Sequence, residues 1–62
     1  MTYRQAIAIL YAQYPTAVVH YETGCGWRIL SDGDGSKYSI PLGAYRPNRE
    51  QAIIVAAENL SR

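Results

Sequence analysis

Cys25 is the only cysteine and His20 the only histidine in a chain of 62 residues, and those two counts limit the folds open to it. One cysteine closes no internal disulfide. One histidine and one thiol fall short of the soft ligand set of a structural zinc site. A domain this short buries only about 60% of the surface its unfolded chain exposes. Without a staple, stability must come from packing, from association with another chain, or from both. The sequence reads as one small α+β domain over 1–62.

Local signals run helix, strand, strand, strand, helix. Thr2 and Gln5 have the spacing of a capping box, in which each side chain satisfies a free backbone N–H of the other's residue. Behind them, Tyr3, Ala6, Ile7, Leu10 and Tyr14 fall on one helical stripe with Tyr11 at its edge. Pro15 ends this helix, because the residue before a proline is pushed out of the helical region. At the other end of the chain, Asn48 is a good N-cap with Gln51 three residues on, and Ala52, Ile53, Ala56, Ala57 and Leu60 line one side of a second helix.

Between the helices, Thr16 to Glu22 (TAVVHYE) is rich in strand-forming residues, and Trp27 to Leu30 is a second short strand. Asp32-Gly33-Asp34-Gly35 is the strongest turn signal in the chain, and Lys37 to Leu42 follows as a third strand. Pro41 cannot donate to a ladder, so that strand belongs at an edge. Side-chain parity then sets the register. A three-residue loop from Thr23 to Cys25 pairs Tyr21 with Trp27 and Val19 with Ile29, with Gly24 or Gly26 at positive φ. A four-residue DGDG loop pairs Leu30 with Lys37, Ile29 with Tyr38 and Trp27 with Ile40. The core face becomes Ala17, Val19, Tyr21, Trp27, Ile29, Tyr38 and Ile40. The expected fold is a two-layer α-β-β-β-α domain, a three-stranded antiparallel sheet with both helices on one face.

Each helix carries more apolar residues than one stripe needs. Ile9, beside Ala8 and Ala12, points away from the first stripe, and Ile54 with Val55 does the same on the last helix. Monomers rarely expose contiguous apolar patches of several hundred Å². Ile9, Ala12, Ile54 and Val55 are therefore candidate contacts for a homodimer or a partner protein, unless side-by-side packing of the helices buries them. Six tyrosines and no phenylalanine suit half-buried positions and binding surfaces, and equally suit a small domain with few dry positions.

Charge and motif spacing argue against several other functions. Six Lys plus Arg against five Asp plus Glu leave a net charge of +1, too even for a protein that grips nucleic acid chiefly by electrostatics. No run of about 18 apolar residues suggests a membrane span. The N-terminus lacks the pattern of a signal peptide. With one free thiol, these features point to a reducing, cytoplasmic location.

Cys25 on its glycine turn, with His20 and Glu22 nearby in sequence, is the most enzyme-like feature. A nucleophile needs a base, an orienting group and a cleft, and a chain this short leaves little room for the last. Counting from Asp32, the sixth and twelfth positions of a calcium loop fall on Lys37 and Gly43, where glycine and glutamate are needed. The glycines form no phosphate cradle. No catalytic residue, cofactor site or metal site is expected. His20, Glu22, Arg28 and Lys37, with Val18 and Leu30 among them, form the outer sheet face, either a recognition surface or a solvated one.

The element order and the alanine-rich stretch Arg46-Pro47-Asn48-Arg49-Glu50-Gln51-Ala52-Ile53-Ile54-Val55-Ala56-Ala57-Glu58-Asn59-Leu60 resemble the double-stranded RNA-binding domain. That resemblance implies RNA contacts from the first hairpin, the first helix and the start of the last helix. In this sequence the family's opening lysine cluster is replaced by Arg46 and Arg49 with Glu50 among them, and its proline-and-histidine loop is missing at Thr23 to Gly26. The nucleic-acid contacts of this alternative are Arg4, Arg28, Lys37, Arg46 and Arg49.

The expectation that absorbs most of these features is a non-catalytic protein-binding module. In type it is similar to the small inhibitors carried by phages and mobile elements, such as anti-CRISPR proteins, or to toxin-neutralising partners. No motif assigns it to any such family.

Overall fold

A computed structural model of the chain describes residues 1–32 and 39–62. It contains helix α1 (Tyr3–Gln13), strands β1 (Val18–Glu22) and β2 (Gly26–Leu30), and helix α2 (Arg49–Leu60). None of the described helices is long and apolar enough to cross a membrane.

Both helix starts follow from their caps. The Gln5 amide N–H donates to the Thr2 hydroxyl at 3.1 Å, and the Thr2 N–H donates to Gln5 Oε1 at 2.9 Å. Two orphan donors of the first turn are thus satisfied reciprocally. α1 stops where Pro15 requires: Tyr14 leaves helical geometry (φ −132°, ψ 79°) while its N–H still reaches Leu10 O at 2.8 Å. At α2 the Asn48 Oδ1 accepts the Gln51 N–H at 2.8 Å, and Glu50 places a negative charge in the first turn, where the helix dipole favours it.

β1 and β2 form the hairpin in the register that parity demands. Tyr21 faces Trp27 and Val19 faces Ile29. Gly24 and Gly26 both take positive φ, 84° and 108°. At Gly26 a side chain is doubly excluded, since its β-carbon would run into the Arg46 carbonyl.

Among the described residues the sheet has two strands, not the expected three. Of the pairings anticipated for it, those of Lys37 and Tyr38 lie outside the described residues, as does most of the Asp32–Gly35 turn. Trp27 faces Arg46 instead of Ile40, and Leu30 faces Pro41; these are isolated bridges rather than a ladder. Pro41 occupies a position that needs no donor: the flanking bonds run from Ser31 N–H to Ile40 O at 3.0 Å and from Leu42 N–H to Ile29 O at 2.8 Å. The ladder then fails because between the two bridges the edge segment has four residues, Leu42 to Tyr45, where β2 has only Arg28 and Ile29, before Arg46 exchanges both backbone bonds with Trp27 at 2.7 and 2.8 Å. Such a surplus of residues on one side breaks pairing and bends the chain. The α+β class holds; the three-stranded sheet does not.

Leu10, Ile29 and Ile53 are the largest fully buried side chains. Each contributes about 1.5–3 kcal/mol by leaving water. They are joined by Leu42 and by five alanines, Ala6, Ala17, Ala52, Ala56 and Ala57. Small side chains let α1 lie close beside α2, and α2 close over β2. Of the expected core face, Ala17 and Ile29 are buried and Val19 and Trp27 half-buried. Tyr21 and Ile40 are more than half exposed, at 55% and 51%. The shift of the edge segment explains Ile40: it passes beyond the end of β2 instead of lying over Trp27.

Two side chains fasten this edge segment. The Ser31 hydroxyl is buried and accepts the Ile40 N–H at 3.0 Å. Asn59, near the end of α2, donates to Leu42 O at 3.1 Å.

Candidate functional site

α2 presents its outward side to an open depression of about 320 Å³ lined by Arg46, Gln51, Ile54, Val55 and Glu58. The helix period places these α2 residues together. Positions 51, 54, 55 and 58 follow the three- and four-residue spacing of one helix face, while Ala52, Ile53, Ala56 and Ala57 are turned into the core. Arg46 joins them because its backbone is tied to Trp27 just before the helix begins. Ile54 and Val55 are half-buried, and Ile54 also packs against the core cluster. The result is an apolar floor with a guanidinium and a carboxylate at its rim.

The other pair expected at an interface behaves differently. Ile9 is half-buried and packs against the core, while Ala12 is exposed on α1. Neither lines the α2 depression. Part of the surplus apolar surface of α1 is thus consumed by the core. Sequence reasoning missed Tyr21 and Tyr11 as exposed aromatics. Parity placed Tyr21 on the core face, but no signal in the sequence shows how far along the hairpin the helices reach.

Of the five cations proposed for nucleic acid, the four among the described residues are dispersed. Arg4 is exposed on α1, and Lys37 lies outside the described residues. Arg46 shares its depression with Glu58. Arg49 lines a second depression, of about 470 Å³, with Tyr3, Asn48 and Glu50 where the two helices begin. Arg28 stands on the outer sheet face with its guanidinium 4.1 Å from the centre of the Tyr45 ring, a cation–π contact. Its Nε is buried and has no hydrogen-bond partner among the described residues.

Beside Arg28, across the strands, His20 Nε2 lies 3.1 Å from Glu22 Oε2, both side chains being about half exposed (41% and 52%). Cys25 is a free, exposed thiol in the turn, its N–H bonded to Glu22 O at 3.0 Å. Among the described residues, no three His, Cys, Asp or Glu side chains converge as metal ligands.

Comparison with known proteins finds no family model that matches the chain, no similar curated protein and no similar solved structure.

Proposed function

We propose that the chain is a non-catalytic protein–protein interaction module that uses the outward side of α2 to contact its partner. The carrying observation is the depression in which Ile54 and Val55 form an apolar floor between Arg46 and Glu58. An apolar centre with a polar, charged rim is the anatomy of a protein interface. Opposite charges at one rim favour a partner that presents both signs, and disfavour a uniformly negative surface such as a nucleic-acid backbone.

The remaining features are consistent with this reading. On the outer sheet face His20 is hydrogen-bonded to Glu22, and the Arg28 guanidinium is stacked on Tyr45. The free thiol of Cys25 suits a reducing, cytoplasmic setting. As a class, small inhibitors of phage or mobile-element type, which act by covering part of a host protein, fit this description.

The test is capture of binding partners by the tagged chain from bacterial lysate, with and without nuclease. A stoichiometric protein that survives nuclease supports the proposal. Recovery of RNA or DNA, with all protein lost on nuclease treatment, overturns it and makes Arg46 and Arg49 the first residues to mutate.

A further inference from the structure

We infer that β1 is the seat of a symmetric homodimer in which two copies of the chain pair antiparallel, edge to edge, about His20. β2 turns Trp27 and Ile29 towards the segment that ends at Arg46, since Trp27 exchanges both backbone bonds with Arg46 and Ile29 O accepts from Leu42. β2 therefore bonds to β1 through its alternate residues, opposite Val18, His20 and Glu22. The N–H and C=O groups of Val19 and Tyr21 are left pointing outward, and among the described residues nothing bonds to them. Natural sheets guard such an edge with lysine, proline or a bulge. β1 reads VVHYE and has none of these.

The occupant follows from the pattern of that edge. Pairing that uses both outward residues sets Val19 opposite Tyr21 of the second copy and His20 opposite its counterpart on the two-fold axis. On the helix side, Tyr21, 55% exposed and stacked at 4.9 Å on Trp27, gains a β-branched neighbour across the new strand pair. On the other side, His20 keeps its own Glu22 at 3.1 Å and gains the second copy's Glu22 diagonally, so imidazoles and carboxylates alternate around the axis. A register centred on Val19 would set Tyr21 against Ala17, and one centred on Tyr21 would set Val19 against Thr23, beyond the strand. The paired hairpins form a four-stranded sheet.

This inference is independent of the α2 depression. Arg46 flanks β2 on the side away from β1, so the dimer leaves both depressions open.

The register makes the test specific. His20→Cys and Glu22→Cys are each made in a Cys25→Ser background. Directly opposed residues of a pair without mutual hydrogen bonds have Cα atoms about 4.5 Å apart, within disulfide range. The two copies of position 22 are separated by about 13 Å along the strands. Sedimentation equilibrium of the wild-type chain under reducing conditions is expected to show a dimer that dissociates on dilution. Mild oxidation is expected to form a disulfide between two copies of His20→Cys and none between two copies of Glu22→Cys. Tyr21→Lys is expected to be monomeric with an unchanged circular dichroism spectrum. A wild-type chain that stays monomeric up to sub-millimolar concentration overturns the inference. So does equal cross-linking of the two cysteine variants. A dimer that survives Tyr21→Lys but is lost in Ile54→Asp moves the contact to the helices and overturns it too.

Discussion

The carbonyl of Arg46 lies against the α-carbon of Gly26, so closely that a β-carbon at Gly26 has no room. This contact joins the turn of the hairpin to the segment that leads into α2, and so sets where the outer side of α2 stands. Gly26 also holds φ 108°. Gly24 provides the control: it too has positive φ, 84°, but open space around its α-carbon. Gly24→Ala is expected to cost about 1–2 kcal/mol, the left-handed backbone penalty alone. Gly26→Ala is expected to cost at least about 1 kcal/mol more, because the clash is with backbone that cannot rotate away. In a domain of this size each kcal/mol lowers the melting temperature by about 4–8 °C. Thermal melts of the two variants, side by side, are the check. Equal melting temperatures would mean that the Gly26–Arg46 approach carries no stability.

The helix caps give a second prediction. Thr2→Ala removes the acceptor of the Gln5 N–H, and Asn48→Ala removes that of the Gln51 N–H. Each is expected to cost about 1 kcal/mol. Thr2 and Gln5 serve one another, so the Thr2→Ala/Gln5→Ala double variant should lose less than the sum of its singles. Urea unfolding midpoints for the wild type and the four variants, Thr2→Ala, Gln5→Ala, Asn48→Ala and the double, measure this.

Ser31 carries a third. Its buried hydroxyl accepts the Ile40 N–H, and its own N–H donates to Ile40 O. Ser31→Ala is expected to cost about 1–2 kcal/mol by leaving one donor without a partner. Amide hydrogen exchange at Ile40 should accelerate much more than at Trp27, whose bond to Arg46 is untouched. Uniform acceleration at both sites would instead mean global destabilisation.

On the outer sheet face, Arg28→Lys keeps the charge but loses the flat guanidinium that stacks on Tyr45. The expected loss is about 0.5–1 kcal/mol, with a shift of the Tyr45 ring proton resonances. Arg28→Met, which retains the stem, should shift those resonances similarly. If both variants leave them unmoved, Tyr45 is held by something other than Arg28.

The parts of the fold legible in the sequence are those set by local chemistry. Thr2, Asn48 and Pro15 mark helix ends through bonds and clashes within a few residues. The hairpin register follows from parity, since an even loop would have set His20 and Glu22 into the core. The edge segment was not legible, because its register is decided far along the chain. Between its two bridges the edge segment has four residues where β2 has two, and Gly26 lets Arg46 approach; neither fact leaves a periodic trace. The candidate site divides along the same line. Ile54 and Val55 could be placed outward by helical spacing, but the addition of Arg46 to their depression depends on the bridge to Trp27. The same spacing points Ile9 outward, whereas in the fold it is half-buried against the core.

The claim that α2 makes the contact is tested most directly by comparing partner recovery among three chains: wild type, Arg46→Glu and Val55→Asp. Circular dichroism first establishes that each is folded. Arg46→Glu guards against a folding artefact, since the exposed Arg46 side chain can change while its backbone still pairs with Trp27. Quantitative mass spectrometry of nuclease-treated captures then measures the partner retained by each. The expected result is a drop of about tenfold or more for both variants, the scale of losing one central interface contact. Undiminished recovery by two folded variants would contradict the account and remove the α2 depression from the binding surface.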